Sequence, residues 1–146
     1  MKRVIISGYF DPLHIGHLEY INSAKLLGDY LIVVVNSDAQ AILKKGKSFM
    51  PEKERCKIVE SIKGVDEVVL SADTDRTVCY TLGIIKYAYY EDELIFANGG
   101  DRTNKEIPEK KICDKLGIKI VDGVGGGKIQ SSSNLIKKSR RKTWVK

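Results

Sequence analysis

Short, mostly apolar runs recur along this chain, and segments with apolar residues spaced three or four positions apart separate them. Runs of four to six residues without strict alternation are typical of strands that are covered on both faces of a parallel sheet. Five such runs predict strands, at residues 2–7, 31–35, 67–70, 94–97 and 118–121.

The segments between these runs predict helices. Leu18, Ile21, Ala24 and Leu27 recur every three residues and mark one face of a helix over residues 16–27. Further helices are predicted shortly after residue 38, from Pro51 to Gly64, at 77–86, at 108–116 and after residue 133. A basic loop, Lys44–Lys47, is predicted to follow the first of these. Regular alternation of strands and helices predicts an α/β fold: a Rossmann-like, doubly wound, parallel sheet of about five strands in a single three-layer α/β/α domain.

The positive charge of the chain is concentrated at its end. The sequence has 25 Lys and Arg residues against 19 Asp and Glu residues, and six of those cations lie in residues 137–146, where no anion occurs. We therefore divide the chain into a domain at 1–136 and a basic C-terminal tail at 137–146. A solvated helix end, phosphate capture and nucleic-acid binding are the three interpretations of this tail, and nucleic acid is the least favoured.

The cysteines and the hydropathy pattern argue against several classes of protein. Cys56, Cys79 and Cys113 are odd in number and far apart, so we expect neither a disulfide framework nor a zinc site. The apolar run near the N-terminus is too short for a signal peptide, and no run approaches the roughly 20 residues that cross a membrane. We expect a cytoplasmic protein that does not associate with membranes.

The segment Gly8–His17, with the sequence GYFDPLHIGH, contains both histidines of the chain. It follows the first predicted strand and leads into the first predicted helix, whose unpaired N-terminal amides suit phosphate oxygens. His14 and His17 lie on the first turn of that helix, where both can reach one anion. Gly8 and Gly16 lack side chains, so we expect a ligand to approach the backbone closely at these positions.

Other polar clusters follow the later strands. They are Asn36–Asp38 after the second strand, Asn98–Arg102 after the fourth, and Gly123–Ser133 after the fifth. In open parallel sheets, ligands bind at the carboxyl ends of the strands, near the point where the strand order reverses. One cleft is therefore expected to collect these clusters, with Ser131–Ser133 at the start of the final helix placed to bind phosphates.

The Gly8–His17 segment resembles the signature of the cytidylyltransferase-like superfamily of nucleotidyltransferases, whose HxGH motif is spelled His14-Ile15-Gly16-His17 here. Weaker similarities follow in the same order as in that family: Asn36–Asp38, Pro51–Arg55, Gly99–Asp101 and Ser131–Ser133. The resemblance implies attack by a phosphate oxygen of an acceptor on the α-phosphorus of a nucleoside triphosphate, with release of pyrophosphate. The enzyme then contributes positioning and charge stabilisation, without a covalent intermediate.

The resemblance implies three groups of site residues. The catalytic group is His14, His17, Lys44 and Lys47. The nucleotide-binding group is Gly8, Tyr9, Phe10, Gly16, Gly99, Asp101, Arg102, Ser131, Ser132 and Ser133. The acceptor-binding group is Asp11, Asp38 and Arg55, although Arg55 is equally suited to pair with an acid. Mg²⁺ is expected to arrive with the triphosphate rather than at a dedicated protein site.

The substrate stays open at this level. The Gly99–Asp101 loop is similar to sugar-phosphate (heptose-type) adenylyltransferases, which favours ATP, while a glycerol-3-phosphate-type cytidylyltransferase is the alternative. A fragment of an aminoacyl-tRNA synthetase shares the HxGH motif, but the chain has no Lys-Met-Ser-Lys-Ser loop. A non-catalytic module that binds nucleotides or nucleic acid is the remaining class. Relatives with this motif often pair, so a homodimer is expected.

Overall fold

The computed structural model describes residues 1–99 and 107–125, which form alternating strands and helices. The strands are β1 (Lys2–Gly8), β2 (Tyr30–Val35), β3 (Glu67–Leu70), β4 (Glu93–Gly99) and β5 (Lys119–Val124). The helices are α1 (Ile15–Lys25), α2 (Asp38–Lys45), α3 (Glu52–Glu60), α4 (Cys79–Ala88) and α5 (Lys110–Leu116).

The strands form one parallel sheet in the order β3-β2-β1-β4-β5. The chain moves outward from β1 to β3 and then crosses back to β4 on the other side of β1. The strand order therefore reverses between β1 and β4, which is where sheets of this kind form a ligand crevice at the carboxyl ends of the strands. We call this end of the sheet the carboxyl end, and the opposite end the amino end.

Two hydrophobic layers cover the sheet. Val4 and Ile6 of β1 point to the layer that contains α1 and α3, whereas Ile5 points to the layer that contains α4 and α5. All three side chains are fully buried, and burying one such aliphatic side chain contributes about 1.5 to 3 kcal/mol. The predicted three-layer, parallel α/β fold is confirmed.

Some predicted boundaries differ from the observed ones because contacts distant in sequence set them. Helix α4 begins at Cys79 rather than at residue 77, because Glu109 Oε2 accepts a hydrogen bond from the Val78 amide at 3.0 Å. Lys44 and Lys45, predicted to lie in a loop, form the last turn of α2, which ends at Gly46 with φ of 85°. That left-handed conformation suits glycine.

Among residues 1–99 and 107–125, no helix combines the length and the apolar character needed to cross a membrane. The predicted final helix and the basic tail at 137–146 lie outside the described residues.

Candidate active site

Helix α1 begins with two histidines whose rings bind backbone amides. His14 occupies the N-cap position in an extended conformation, and its Nδ1 accepts a hydrogen bond from the Gly16 amide at 3.1 Å. The Nδ1 of His17 accepts one from the His14 amide at 3.0 Å. This is a capping box in which imidazole nitrogens replace the usual oxygens, and it fixes the orientation of both rings.

The capping box also assigns the tautomer of each ring. A nitrogen that accepts a hydrogen bond from an amide carries no proton, so a neutral ring of His14 or His17 carries its proton on Nε2. The two rings are stacked, with centroids 3.9 Å apart and planes inclined by 28°. Both rings therefore present an Nε2–H donor from one place at the start of α1. That arrangement suits the stabilisation of phosphate charge, together with the positive end of the helix dipole.

Gly8 lacks a side chain because the ring of Phe10 occupies that space. A Cβ at Gly8 would lie 3.0 Å from Cζ of Phe10, and the left-handed backbone of Phe10, with φ of 53°, places its ring there. Phe10 is buried, and its ring centroid lies 4.9 Å from that of His17. The ring of Phe10, rather than an approaching ligand, therefore accounts for the glycine at position 8. Phe10 supports the His17 ring, in place of its predicted contact with the nucleotide.

Asp11 holds a neighbouring loop against the histidine motif. Its carboxylate accepts hydrogen bonds from the amides of Phe49 and Met50 at 2.9 and 2.6 Å, and Lys45 Nζ lies 3.0 Å from Oδ2. The side chain of Asp11 is fully buried. Its predicted contact with the acceptor is therefore replaced by a positioning role, in which it orders the loop after α2.

Arg55 plays a similar part on the other side of this loop. Its buried guanidinium donates to the carbonyl oxygens of Met50, Tyr9 and Asn36 at 2.9, 2.8 and 2.6 Å, and to Asp38 Oδ1 at 2.8 Å. These bonds use four of its five N–H groups. Of the two alternatives left by the sequence, the structure favours pairing with an acid over binding of a substrate phosphate.

Asp38 lies at the start of α2, where its carboxylate meets Arg55 and Ser48. Burial acts to raise the pKa of this carboxyl, but the hydrogen bonds from Ser48 and Arg55 outweigh it and hold the pKa below its usual range. The group is therefore ionised at neutral pH. Its side chain is 37% exposed, so its predicted contact with the acceptor is compatible with the pairing.

The predicted catalytic lysines differ in their surroundings. Lys44 Nζ lies 4.4 Å from the centroid of the Tyr9 ring, in a cation–π geometry. Lys47 is exposed on the loop that Asp11 holds. The intervening Lys45, which the sequence analysis did not select, is the lysine that binds Asp11.

Tyr9 is half-buried between these groups. Burial raises the pKa of its phenol, and the nearby positive charge of Arg76 opposes that change only in part. The hydroxyl therefore keeps its proton at neutral pH. Its predicted role in nucleotide binding stays a prediction.

The remaining predicted residues lie around α1 and β4 or outside the described part. Gly16 is held by its bond to His14, and the nearest atoms to a Cβ at Gly99 belong to the Tyr20 ring, at 3.9 Å. Tyr20 was not predicted; its hydroxyl donates to the Ala97 carbonyl and joins α1 to β4 across the crevice. Five predicted nucleotide-binding residues lie outside the described residues: Asp101, Arg102, Ser131, Ser132 and Ser133.

A sequence signal existed for one further residue that was missed. Ser37 and Gln40 form a capping box at the start of α2, a pattern that is readable from their spacing. Gln40 is fully buried, and its Oε1 also accepts a hydrogen bond from Asn36 Nδ2 at 3.1 Å. The box thus fixes the end of β2 beside the site.

The chain is similar to known proteins in sequence and in fold. Residues 5–123 match the family model described as cytidylyltransferase-like. Glycerol-3-phosphate cytidylyltransferase of Bacillus subtilis (strain 168) is 44% identical over 131 residues, which cover 89% of this chain and 95% of that protein. An FAD synthase of Ferroglobus placidus is 43% identical over 75 residues, or 51% of this chain, and the bifunctional protein HldE of Geotalea uraniireducens is 32% identical over 144 residues, or 95%.

The matched region is only part of two of these relatives, namely 49% of the FAD synthase and 27% of HldE. Among solved structures, the lipopolysaccharide core biosynthesis protein from Thermoplasma volcanium aligns with a TM-score of 0.63 and 29% identity, over 84% of this chain and 95% of that one. A putative nicotinate-nucleotide adenylyltransferase from Vibrio parahaemolyticus aligns with a TM-score of 0.64 and 19% identity, over 93% and 84%, which shows the shared fold alone.

Proposed function

This chain belongs to the cytidylyltransferase-like family of nucleotidyltransferases, and on that premise we propose that it transfers a nucleoside monophosphate to the phosphate of a small phosphorylated acceptor. An acceptor oxygen attacks the α-phosphorus of the triphosphate and forms a new P–O–P link. The bond from the α-phosphorus to the bridging oxygen breaks, and pyrophosphate leaves with that oxygen.

The observation that carries this proposal is the stacked pair of histidines at the start of α1. Negative charge builds up on the α-phosphate oxygens and on the leaving pyrophosphate as the new bond forms. The Nε2–H groups of His14 and His17 are oriented in advance by their capping bonds, so they donate to this charge without reorganising. Neither ring needs to take a proton, because the attacking phosphate oxygen is already an anion.

The lysines and the outlying residues complete the proposal. Lys44 and Lys47 neutralise the α-phosphate and the acceptor phosphate. Asp101 and Arg102 contact the ribose or base, and Ser131–Ser133 bind the β- and γ-phosphates. Mg²⁺ would enter on the triphosphate and offset its charge, because phosphate oxygens are ligands that it prefers. Within residues 1–99 and 107–125, no three His, Cys, Asp or Glu side chains cluster as metal ligands would.

We propose a sugar phosphate as the acceptor and ATP as the donor, because the Gly99–Asp101 loop is similar in sequence to that of sugar-phosphate (heptose-type) adenylyltransferases. The match to HldE over 95% of this chain supports this choice. Glycerol 3-phosphate with CTP is the second candidate, and 44% identity to a cytidylyltransferase of nearly the same length favours it. We further propose a cytoplasmic homodimer.

A pyrophosphate-release screen tests the function. The four nucleoside triphosphates are each combined with hexose 1-phosphates, a heptose 1-phosphate, glycerol 3-phosphate and FMN, in the presence of Mg²⁺. We expect release with at least one sugar or polyol phosphate, dependent on both substrates and absent in a variant that lacks the His17 donor. Absence of release from every pair, or equal release from that variant, would contradict the proposal.

A further inference from the structure

Helix α4 exposes an apolar face. Tyr80, Ile84 and Tyr87 are 65%, 44% and 86% exposed, and their spacing of four and three residues places them on one side of the helix. Leu82, on the opposite side, is fully buried in the layer beneath. The exposed side chains line an open groove together with Ile112 of α5. Contiguous apolar surface of this kind is typical of a site that binds another molecule.

Gly83 lies in this groove, in the middle of α4. Glycine destabilises the interior of a helix relative to alanine, because it loses more backbone freedom on folding. Among the described residues, no atom lies within 4 Å of the position that a Cβ at Gly83 would take. The contacts of the described chain therefore do not require glycine here, whereas the close approach of a second helix would.

The residues of this face are arranged symmetrically about the centre of α4. The midpoint of the helix lies between Gly83 and Ile84. If two copies of α4 pack antiparallel about that point, Tyr80 of one copy lies opposite Tyr87 of the other. Ile84 of one copy then lies opposite Gly83 of the other, so the larger side chain meets the smaller residue. Each pairing occurs twice, as the twofold symmetry of a homodimer requires.

The charge of the groove favours a second copy of the chain over a nucleic acid. Among the residues of α4, Lys86 alone is charged, and the α4 residues that line the groove are neutral. A phosphate backbone needs cations, which these residues do not supply. Two copies of a chain with a net charge of +6 meet with the least repulsion where the contact is uncharged.

The exposed area is a substantial part of what a stable dimer needs. A tyrosine has roughly 200 Å² of surface, so at their exposures Tyr80 and Tyr87 together offer about 300 Å². A standard interface buries about 800 Å² on each partner. The two tyrosines therefore supply more than a third of that area, to which Ile84 and Ile112 add.

We propose that α4 forms the interface of the homodimer, with two copies of the helix packed antiparallel about a twofold axis between Gly83 and Ile84. This inference rests on the homodimer that the proposed function includes. Ile84 of each copy packs on the backbone at Gly83 of the other, which lets the helix axes approach closely. The rings of Tyr80 and Tyr87 pack across the axis, and their hydroxyls stay in water at the rim. Helix α1 belongs to the other layer, so this dimer leaves its start open.

The first test measures the oligomeric state of the full chain by sedimentation equilibrium over a series of protein concentrations. We expect the wild type to associate to a dimer. Ile84→Lys brings two like charges together at the axis and should raise the dissociation constant at least ~100-fold. Gly83→Leu adds a side chain where the helices cross and should raise it at least ~10-fold. Circular dichroism checks that both variants fold.

The matched control is Ile58→Lys, the same substitution at a residue of α3 that is 39% exposed. It should associate as the wild type does. A wild type that stays monomeric at every concentration overturns the proposal and the homodimer with it. A dimer that persists in both α4 variants, or one that Ile58→Lys alone disrupts, overturns this interface and leaves the homodimer standing. Because no turnover is measured, either failure is separate from failure of the pyrophosphate screen.

The second test examines the antiparallel register. Tyr80→Cys and Tyr87→Cys are made in a background of Cys56→Ser and Cys79→Ser, which removes the two partly exposed cysteines. Each variant alone, and a mixture of the two, is treated with a short bismaleimide cross-linker. We expect cross-linked dimers chiefly in the mixture, because identical positions lie about 10 Å apart along the helix axis in this register. Cross-linking of the separate variants but not of the mixture, or of none of the samples, overturns the proposal.

Discussion

At the amino end of the sheet, Arg3 lies between the rings of Tyr30 and Tyr89, 4.3 and 3.8 Å from their centroids, and donates from Nε to Asp92 at 2.7 Å. Both tyrosine hydroxyls donate to Glu67 Oε1, at 3.0 and 2.6 Å. Charged and polar groups here bind one another and link β1, β2 and β3 to α4.

At the carboxyl end, the chain builds two layers of polar groups. Arg55 and Asp11 form the inner layer, where they bind carbonyl oxygens and amides and so shape the loops. His14 and His17 belong to the outer layer, where Nδ1 of each ring accepts a bond from the backbone and Nε2 carries the proton of the neutral ring.

The difference between the two ends separates stability from chemistry. A polar group whose hydrogen bonds all go to the protein contributes to folding. A group that is oriented by one atom and donates from another is preorganised for a ligand. Substitutions at the amino end and in the inner layer should therefore change stability, and substitutions in the outer layer should change activity.

The largest expected effect is that of His17→Asn. The Asn Oδ1 can replace Nδ1 as the acceptor for the His14 amide, but the Nε2–H donor is lost. We expect kcat to fall by at least ~100-fold, as when one donor to transition-state charge is removed, while the thermal unfolding midpoint stays near that of the wild type. Steady-state pyrophosphate release and calorimetry measure the two quantities.

His17→Gln is the matched control, because its Oε1 can accept the capping bond, as that of Gln40 does at the same position of α2, while its amide nitrogen replaces the Nε2 donor. It should keep a thermal unfolding midpoint near that of the wild type and retain more activity than His17→Asn. If His17→Asn turned over within threefold of the wild type, the distinction between the two layers would be wrong.

Arg55→Met tests the inner layer and should affect stability most. It leaves Asp38 without its cation and three carbonyl oxygens without their donor. Breaking a buried pair costs about 3 to 5 kcal/mol, and the partial exposure of Asp38 places the expected loss near the lower value. Urea unfolding measures it. Lys53→Met, on the exposed side of α3, should change stability by less than ~0.5 kcal/mol; equal losses in the two variants would contradict this role for Arg55.

The smallest expected effect lies at the amino end and depends on pH. The hydrogen bond to Glu67, followed by burial, raises the pKa of Tyr89 from its usual 10.0 to about 12. The folded state therefore keeps a proton that the unfolded state loses, so this stabilisation is complete below pH 10 and is lost as the pH rises towards 12. In Tyr89→Phe, the unfolding free energy should therefore fall less steeply between pH 10 and about pH 12 than it does in the wild type.

Tyr87→Phe is the control for this effect, because Tyr87 is an exposed tyrosine on the same helix. Its stability should follow the wild-type dependence on pH. If the unfolding free energies of Tyr89→Phe and the wild type depended on pH in the same way, the hydrogen bond between Tyr89 and Glu67 would not contribute to that dependence.

The fold could be predicted because its signals are local. Buried parallel strands are apolar without alternation, as Val4–Ile6 and Leu31–Val35 show, and their order along the chain fixes the layers. The start of α4 could not be predicted, because Glu109 caps it from 31 residues away. The position of Lys44 in a helix depended on Gly46, whose left-handed conformation ends α2 after both lysines.

The position of the histidine motif in the fold could be predicted, but the contacts of the neighbouring side chains could not. The HxGH spacing placed both histidines at the start of α1. Sequence alone does not distinguish a carboxylate that meets a substrate from one that meets backbone amides, so Asp11 was assigned to the acceptor although it binds Phe49 and Met50. Gly8 was explained by a ligand, whereas the Phe10 ring fills the space beside it.

The most direct test is the protonation state of the two imidazoles. They are the only histidines in the chain, so a ¹⁵N–¹H spectrum of the rings contains two spin systems. At a pH where both rings are neutral, we predict protons on Nε2 of each ring, and a change in both Nε2–H signals on addition of a non-hydrolysable ATP analogue. A proton on Nδ1 of either ring, or signals that do not respond to the nucleotide, would contradict the account.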